Sequence, residues 1–318
     1  MGLIMAEMVK KATRESFGEA VTELAATDDR IVVLDADLAA ATKTGIFKKA
    51  YPERFIDCGI AECNMIGVAA GLAACGKVPF AASFAMFSAG RAFEQVRNSV
   101  GYPHLNVKIV GSHAGISVGE DGASHQCLED IALMRTIPGM VVLNPSDHYE
   151  MRAAVRAAAA YEGPVYLRLG RLAVESVNNN DDYTFELGKG ITLRDGNDIT
   201  VVATGLMVGE AIKAVDALRE QGISARLINI HTIKPLDKEL ICKAAQETGR
   251  IVTVEEHNVI GGLGEAVCAA VSEECPVPVV RMGVYDVFGH SGPALDLLKE
   301  FGLTAGNIAQ TVKDALHK

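Results

Sequence analysis

The chain has 318 residues, 49 % of them hydrophobic, which is enough for two cores of ordinary domain size. Acids outnumber Lys and Arg by 40 to 30, giving a net charge of −10, and no Lys/Arg block occurs, so a nucleic-acid partner is not expected. Gly and charged residues interrupt the long apolar runs, which argues against a membrane-spanning helix.

The opening MGLIMAEMVKKATRESF has the look of a lipidation start, but it runs into a helical pattern with acids over 10–26 and lacks a long apolar core. No signal peptide is expected. β-branched runs at 31–34, 78–82, 107–110, 140–143 and 165–169 read as strands, with helices at 62–75, 87–100 and 147–161 between them. Around 175–189 the chain turns polar and acid-rich, ESVNNNDDYTFELGK, a linker composition. Alternation then resumes. Strands are expected at 199–203, 225–230, 251–255 and 277–282, and helices at 208–221, 237–246, 264–274 and 304–317. Strand–helix alternation on this scale predicts an α/β fold: two three-layer α/β domains with mostly parallel sheets, residues 1–185 and 186–318. The seven cysteines form no CxxC pair and are odd in number, so reduced cysteines in a cytoplasmic protein are expected, most of them in the core.

Three stretches carry unusual chemistry. In GIAECNM a lone acid, Glu62, precedes a helix of small residues; a first-turn acid that complements the helix dipole is the ordinary reading. In ASFAMF, Phe84 and Phe87 lie three apart at a strand–helix junction. That suits core packing or a shelf for a planar heterocycle. The loop GSHAGISVGEDGASHQ, residues 111–126, holds two His, two acids and four Gly in the place after a parallel strand where α/β proteins bind ligands. A solvated turn and a metal site are open readings, although the spacing fits no familiar metal motif. Recognition of a hydroxylated or phosphorylated substrate suits the loop better, because imidazole both donates and accepts while carboxylates accept from hydroxyls.

In order and approximate spacing, GIAECNM, ASFAMF and the HxGxxxGEDGxxHQ loop resemble the transketolase family, with support from RESFGEAV, DADLA and LRLGR. The resemblance covers nearly the whole chain and corresponds to the pyrimidine-binding and C-terminal domains of a full-length transketolase. It implies the C-terminal subunit of a split, thiamine diphosphate-dependent transketolase of the pentose phosphate pathway. The Gly-Asp-Gly segment that holds metal and diphosphate in the family is missing. An N-terminal partner subunit would therefore carry the diphosphate and Mg2+ or Ca2+, in an α2β2 assembly. A β subunit of a 2-oxoacid dehydrogenase E1 component is the nearest alternative. The carboxyl-terminal half of a deoxyxylulose-phosphate synthase, a non-catalytic subunit and a nicotinamide enzyme using the Gly261-Gly262-Leu263-Gly264 turn are more remote.

By the same resemblance, Glu62 hydrogen-bonds N1′ of the aminopyrimidine and favours its imino tautomer, which removes the proton at C2. That needs the dry surroundings its apolar neighbours supply. Phe87 stacks on the ring and Phe84 supports it. Asp37 lies near the cofactor and the subunit contact, or caps the next helix. Arg14, His113 and Arg171 hold the sugar phosphate, with Arg168 an alternative to Arg171. Asp121 and His125 take the donor's hydroxyls, and His125 joins Glu62 in the catalytic set. The chain departs from the family at Ala41, where a Ser or Thr is usual and Thr42 is the available substitute, and at Gly90, where many relatives carry Tyr. Glu255, Glu256 and His257 are expected to join a subunit contact, and His290 to be structural.

Overall fold

The computed structural model describes residues 9–178 and 183–317. The first eight residues of the lipidation-like opening and residues 179–182 of the polar linker lie outside the described residues. Two sheets dominate. The larger has seven strands, running from edge to edge Thr232–Lys234, Val141–Leu143, Val165–Arg168, Lys108–Ser112, Val78–Phe84, Ile31–Asp35 and Phe55–Asp57. All its pairings are parallel except that of Thr232–Lys234 with Val141–Leu143. The smaller sheet runs Val279–Val284, Ile251–Asn258, Ile199–Ala203, Ala225–Asn229 and Ile191–Arg194, with the last strand antiparallel.

The central strands Ile31–Asp35, Val78–Phe84, Val141–Leu143 and Ile199–Ala203 are mostly apolar and buried throughout because both faces are covered, as parallel sheets require. Ile31 and Val33 point to the face packed by Phe17 and Val155, from the helices Thr13–Leu24 and His148–Ala160. Val32 and Leu34 point the other way, towards Met65 and Ile66 of the helix Glu62–Ala74. That second core does not stop at the first sheet. It continues through Ile233, Ile241 and Leu263 of the C-terminal half.

Three features depart from the sequence expectations. The strand Thr232–Lys234 belongs to the C-terminal half yet completes the edge of the first sheet, through a register that slips within its three residues. The helix expected over 87–100 is two π-helical turns, Met86–Arg91 and Val96–Gly101, around the short α-helical piece Phe93–Gln95. Their i→i+5 bonds include Ala92 N–H to Phe87 O at 3.1 Å and Tyr102 N–H to Arg97 O at 2.8 Å. Such turns re-aim side chains and recur at functional sites. Among the cysteines, Cys127 and Cys242 are buried, whereas Cys75 is exposed and the other four are half-buried. No helix among the described residues is long and apolar enough to cross a membrane.

Candidate active site

The carboxyl ends of the parallel strands of the larger sheet place the residues that sequence reading singled out. Register is the device. Phe84 pairs with Ser112 at the strand ends, so the next residue, His113, lands against Phe84. The two rings stack with centroids 4.0 Å apart. On the other side, Phe84 lies nearly parallel to Phe87 at 6.0 Å. His125 meets Phe87 edge-on at 5.3 Å and Phe84 at 6.1 Å. Four rings from two sequence segments thus form one aromatic group.

His113 is 3 % exposed and adopts a left-handed backbone, φ +55°, a strained state for a non-glycine residue. Arg14 Nη1 donates to its Nε2 at 3.3 Å and to Ala41 O at 2.8 Å. Burial, helped by Arg14, Arg171 and His125, pushes the His113 pKa down to about 3. Burial also lowers the pKa of Arg14. Arg171 donates Nη1 to Val118 O and to Glu120 at 2.9 Å. Its charge reaches both Arg14 and His113, so the three expected phosphate ligands do come together. Asp121 is exposed on the turn between Gly119 and Gly122. Asp37 is exposed with φ +61°, and its N–H donates to Asp57 at 3.2 Å.

Glu62 opens its helix and is 2 % exposed. Its carboxylate accepts from Arg91 Nη1 at 2.7 Å, and the Arg91 guanidinium carbon lies 4.5 Å from the centre of the Phe87 ring. The sequence reading missed Arg91. The available signal was its place four residues after Phe87, a spacing that brings helical side chains onto one face. Phe87, Gly90 and Arg91 line one wall of a cavity of about 750 Å3; Asn258, Asp286 and Phe288 of the C-terminal half line the other. A side chain at position 90 would have to move the end of Met86, since an added Cβ would stand 2.3 Å from Met86 Cε.

Several alternatives resolve here. Arg168 is 4 % exposed and bound to Asp130 at 2.8 Å and to Glu256 O at 2.9 Å, so its guanidinium is committed to the interior. Thr42 is fully buried and donates to Asp35 at 2.7 Å, next to Thr44 at 2.8 Å on the same carboxylate oxygen. Its hydroxyl is thus committed to the turn. Glu255, Glu256 and His257 lie inside the chain's own domain junction. Glu255 accepts from Leu263 N–H at 2.7 Å and Gly264 N–H at 2.8 Å. The Gly261–Gly264 turn therefore spends its helix N-terminus on an internal carboxylate, which leaves no open phosphate cradle for a nicotinamide cofactor. Glu256 accepts from Ser117 N–H at 2.6 Å, and Gln126 donates to His290 O at 3.0 Å. The C-terminal half thereby clamps the two-His loop at both ends. His290 is half-exposed and pairs with Glu300 at 3.0 Å. No group of three or more His, Cys, Asp or Glu among the described residues could hold a metal.

Comparison with known proteins follows this geometry. The transketolase pyrimidine-binding domain model matches residues 9–176, and the transketolase C-terminal domain model matches residues 188–308. The chain is 50 % identical over 312 residues to a Methanocaldococcus jannaschii protein provisionally named a transketolase C-terminal section, covering 98 % of each chain. It is 47 % identical over 306 residues to the 6-deoxy-6-sulfo-D-fructose transketolase subunit SqwH of Clostridium sp. strain MSTE9, covering 96 % of this chain and 94 % of that one. A solved structure described as a split gene transketolase, inactive beta4 tetramer, superposes with a TM-score of 0.90 at 52 % identity, covering 96 % of this chain and 99 % of that one. The chain belongs to the transketolase family, to the part of it built from the pyrimidine-binding and C-terminal domains.

Proposed function

We propose that this chain is the C-terminal subunit of a thiamine diphosphate-dependent transketolase. Paired with an N-terminal subunit, it transfers a two-carbon ketol unit from a ketose phosphate to an aldose phosphate. The observation that carries the reading is Glu62: a carboxyl group 2 % exposed, at the carboxyl edge of a parallel sheet, linked by Arg91 to the face of Phe87 and to the wall of a cavity of about 750 Å3. A buried carboxyl next to a flat aromatic face fits an aminopyrimidine, which needs a ring to stack on and an acid at its nitrogen.

Thiamine diphosphate, when bound, supplies the electron sink for carbon–carbon cleavage. The chain's own residues do the rest. Glu62 holds a proton at the ring nitrogen N1′. Phe87 carries the ring face and Phe84 braces it from behind. Asp37 stands at the rim, where a neighbouring subunit would meet it. Arg14, neutral His113 and Arg171 bind the sugar phosphate, with charge supplied by the arginines. Asp121 and His125 take the donor's hydroxyls. The partner subunit binds the diphosphate with Mg2+ or Ca2+, in a cytoplasmic α2β2 assembly. A domain boundary near residue 185 completes the reading.

Co-purification with the candidate N-terminal subunit, followed by a ketol-transfer assay with xylulose 5-phosphate and ribose 5-phosphate, tests the proposal. A pair that leaves these sugars untouched, but consumes pyruvate with a lipoyl acceptor, overturns it in favour of a 2-oxoacid dehydrogenase.

A further inference from the structure

Arg91 stands between the two residues that define the ring site. Its guanidinium donates to Glu62 at 2.7 Å, and its central carbon lies 4.5 Å from the Phe87 ring centre. One contact is a hydrogen bond to the acid, and the other is a flat cation laid over the aromatic face. A planar guanidinium with N–H donors at its edge is the side chain best able to make both at once. An aminopyrimidine ring needs the same two contacts.

We propose that Arg91 is the internal occupant of the aminopyrimidine site: its guanidinium takes the ring's place between Glu62 and Phe87 until the cofactor displaces it. The proposal rests on the assignment of Glu62 and Phe87 made above. Without an occupant, Glu62 would be a buried carboxylate lacking a partner, which is strongly unfavourable. The arginine prevents that, and it is built to leave. Its side chain is 48 % exposed, whereas that of Glu62 is 2 % exposed, so one member of the pair reaches solvent and the other does not. Arg91 also ends the π-helical turn that begins at Met86, and it lines the cavity of about 750 Å3, so its side chain borders open space into which it can move. Ring and guanidinium exclude one another, so the ring's apparent affinity is reduced by the fraction of molecules in which Arg91 is seated.

The test uses the full chain and the isolated ring, 4-amino-5-hydroxymethyl-2-methylpyrimidine, which needs no diphosphate site. Ligand-observed NMR gives its dissociation constant for the unaltered chain, Arg91→Ala and Arg91→Lys. Arg91→Ala is expected to bind the ring about fivefold more tightly or better, because it vacates both Glu62 and Phe87, and Arg91→Lys to gain less, because it vacates Phe87 alone. In the absence of ligand, Arg91→Ala lowers the unfolding midpoint, and adding Glu62→Gln restores it. Arg91→Lys keeps an ion pair to Glu62 and guards against a folding defect. Equal, weaker or undetectable ring binding by both variants overturns the proposal. Loss of binding in Phe87→Ala and Glu62→Gln, with Arg91→Ala no tighter than the unaltered chain, sinks the occupant alone. Binding indifferent to Phe87 and Glu62 sinks the site assignment as well.

Discussion

Arg14 donates to His113 Nε2 across 3.3 Å, and that contact fixes which ring nitrogen bears the proton. A guanidinium only donates, so Nε2 accepts, and Nδ1–H is left to donate to Ser112 Oγ at 2.9 Å. The ring is therefore neutral, in agreement with a pKa pushed down to about 3. In the unfolded chain it titrates near 6.5. Between those two values the unfolded state holds a proton that the folded state lacks, so stability is full above 6.5 and falls as pH drops towards 3. The His113→Asn variant loses that dependence. The stability of the unaltered chain relative to His113→Asn should decline by about 2 kcal/mol from pH 7 to pH 5 in urea titrations. A pH-independent difference would contradict a neutral His113.

Glu62→Gln keeps a hydrogen bond to Arg91 but cannot offer a carboxyl proton to a ring nitrogen. The variant should fold with an unchanged circular dichroism spectrum, while kcat of the reconstituted pair falls by about 10²–10⁴-fold, the usual contribution of a positioned acid–base group. Turnover close to that of the unaltered enzyme would remove Glu62 from the chemistry.

Thr42 stands where the family's phosphate-binding hydroxyl would be sought, yet its hydroxyl serves Asp35. Asp35 is fully buried and its pKa is raised by burial, with Thr42, Leu38 and Thr44 each pulling it down through hydrogen bonds. Thr42→Val should therefore cost about 1–3 kcal/mol of stability by stripping a donor from a buried carboxyl. The KM for the donor sugar phosphate should hardly move. The opposite pattern, intact stability with a raised KM, would restore Thr42 as a ligand.

Glu255 holds two backbone N–H groups of the Gly261–Gly264 turn, one on each carboxylate oxygen. An amide keeps one acceptor and turns its NH2 on the second donor. Glu255→Gln should lower unfolding stability by about 1–3 kcal/mol, read from the urea midpoint. No gain of NADH binding is expected, because the turn stays filled.

Much of the site was legible because its residues cluster in sequence. His113 and His125 announce themselves within one glycine-rich loop, and Glu62 is the lone acid before an apolar helix. Partners contributed from far along the chain were not legible. Arg14 reaches His113 across 99 positions and Arg91 reaches Glu62 across 29, and nothing local marks either pair. The 87–100 segment has a helical pattern that puts Arg91 four residues after Phe87, but composition does not distinguish π turns from α-helix, so the turn that carries Arg91 was not legible. Glu255, Glu256 and His257 were read as a surface because charge usually is. They are buried because each finds a partner, Glu256 and His257 across the junction and Glu255 in the Gly261–Gly264 turn, which periodicity cannot reveal. The sheets were easier: long β-branched runs such as Ile31–Asp35 and Ile199–Ala203 can bury both faces. A three-residue strand such as Thr232–Lys234 carries no period at all.

That short strand has an unexpected reach. Because Thr232–Lys234 seals an edge of the seven-stranded sheet, severing the polypeptide between residues 178 and 183 would not yield two independent bodies. The leading fragment would bare a row of unpaired peptide groups along Val141–Leu143, open to capture by any passing strand. A nicked chain should therefore travel as one particle in native gel filtration and come apart only in denaturant.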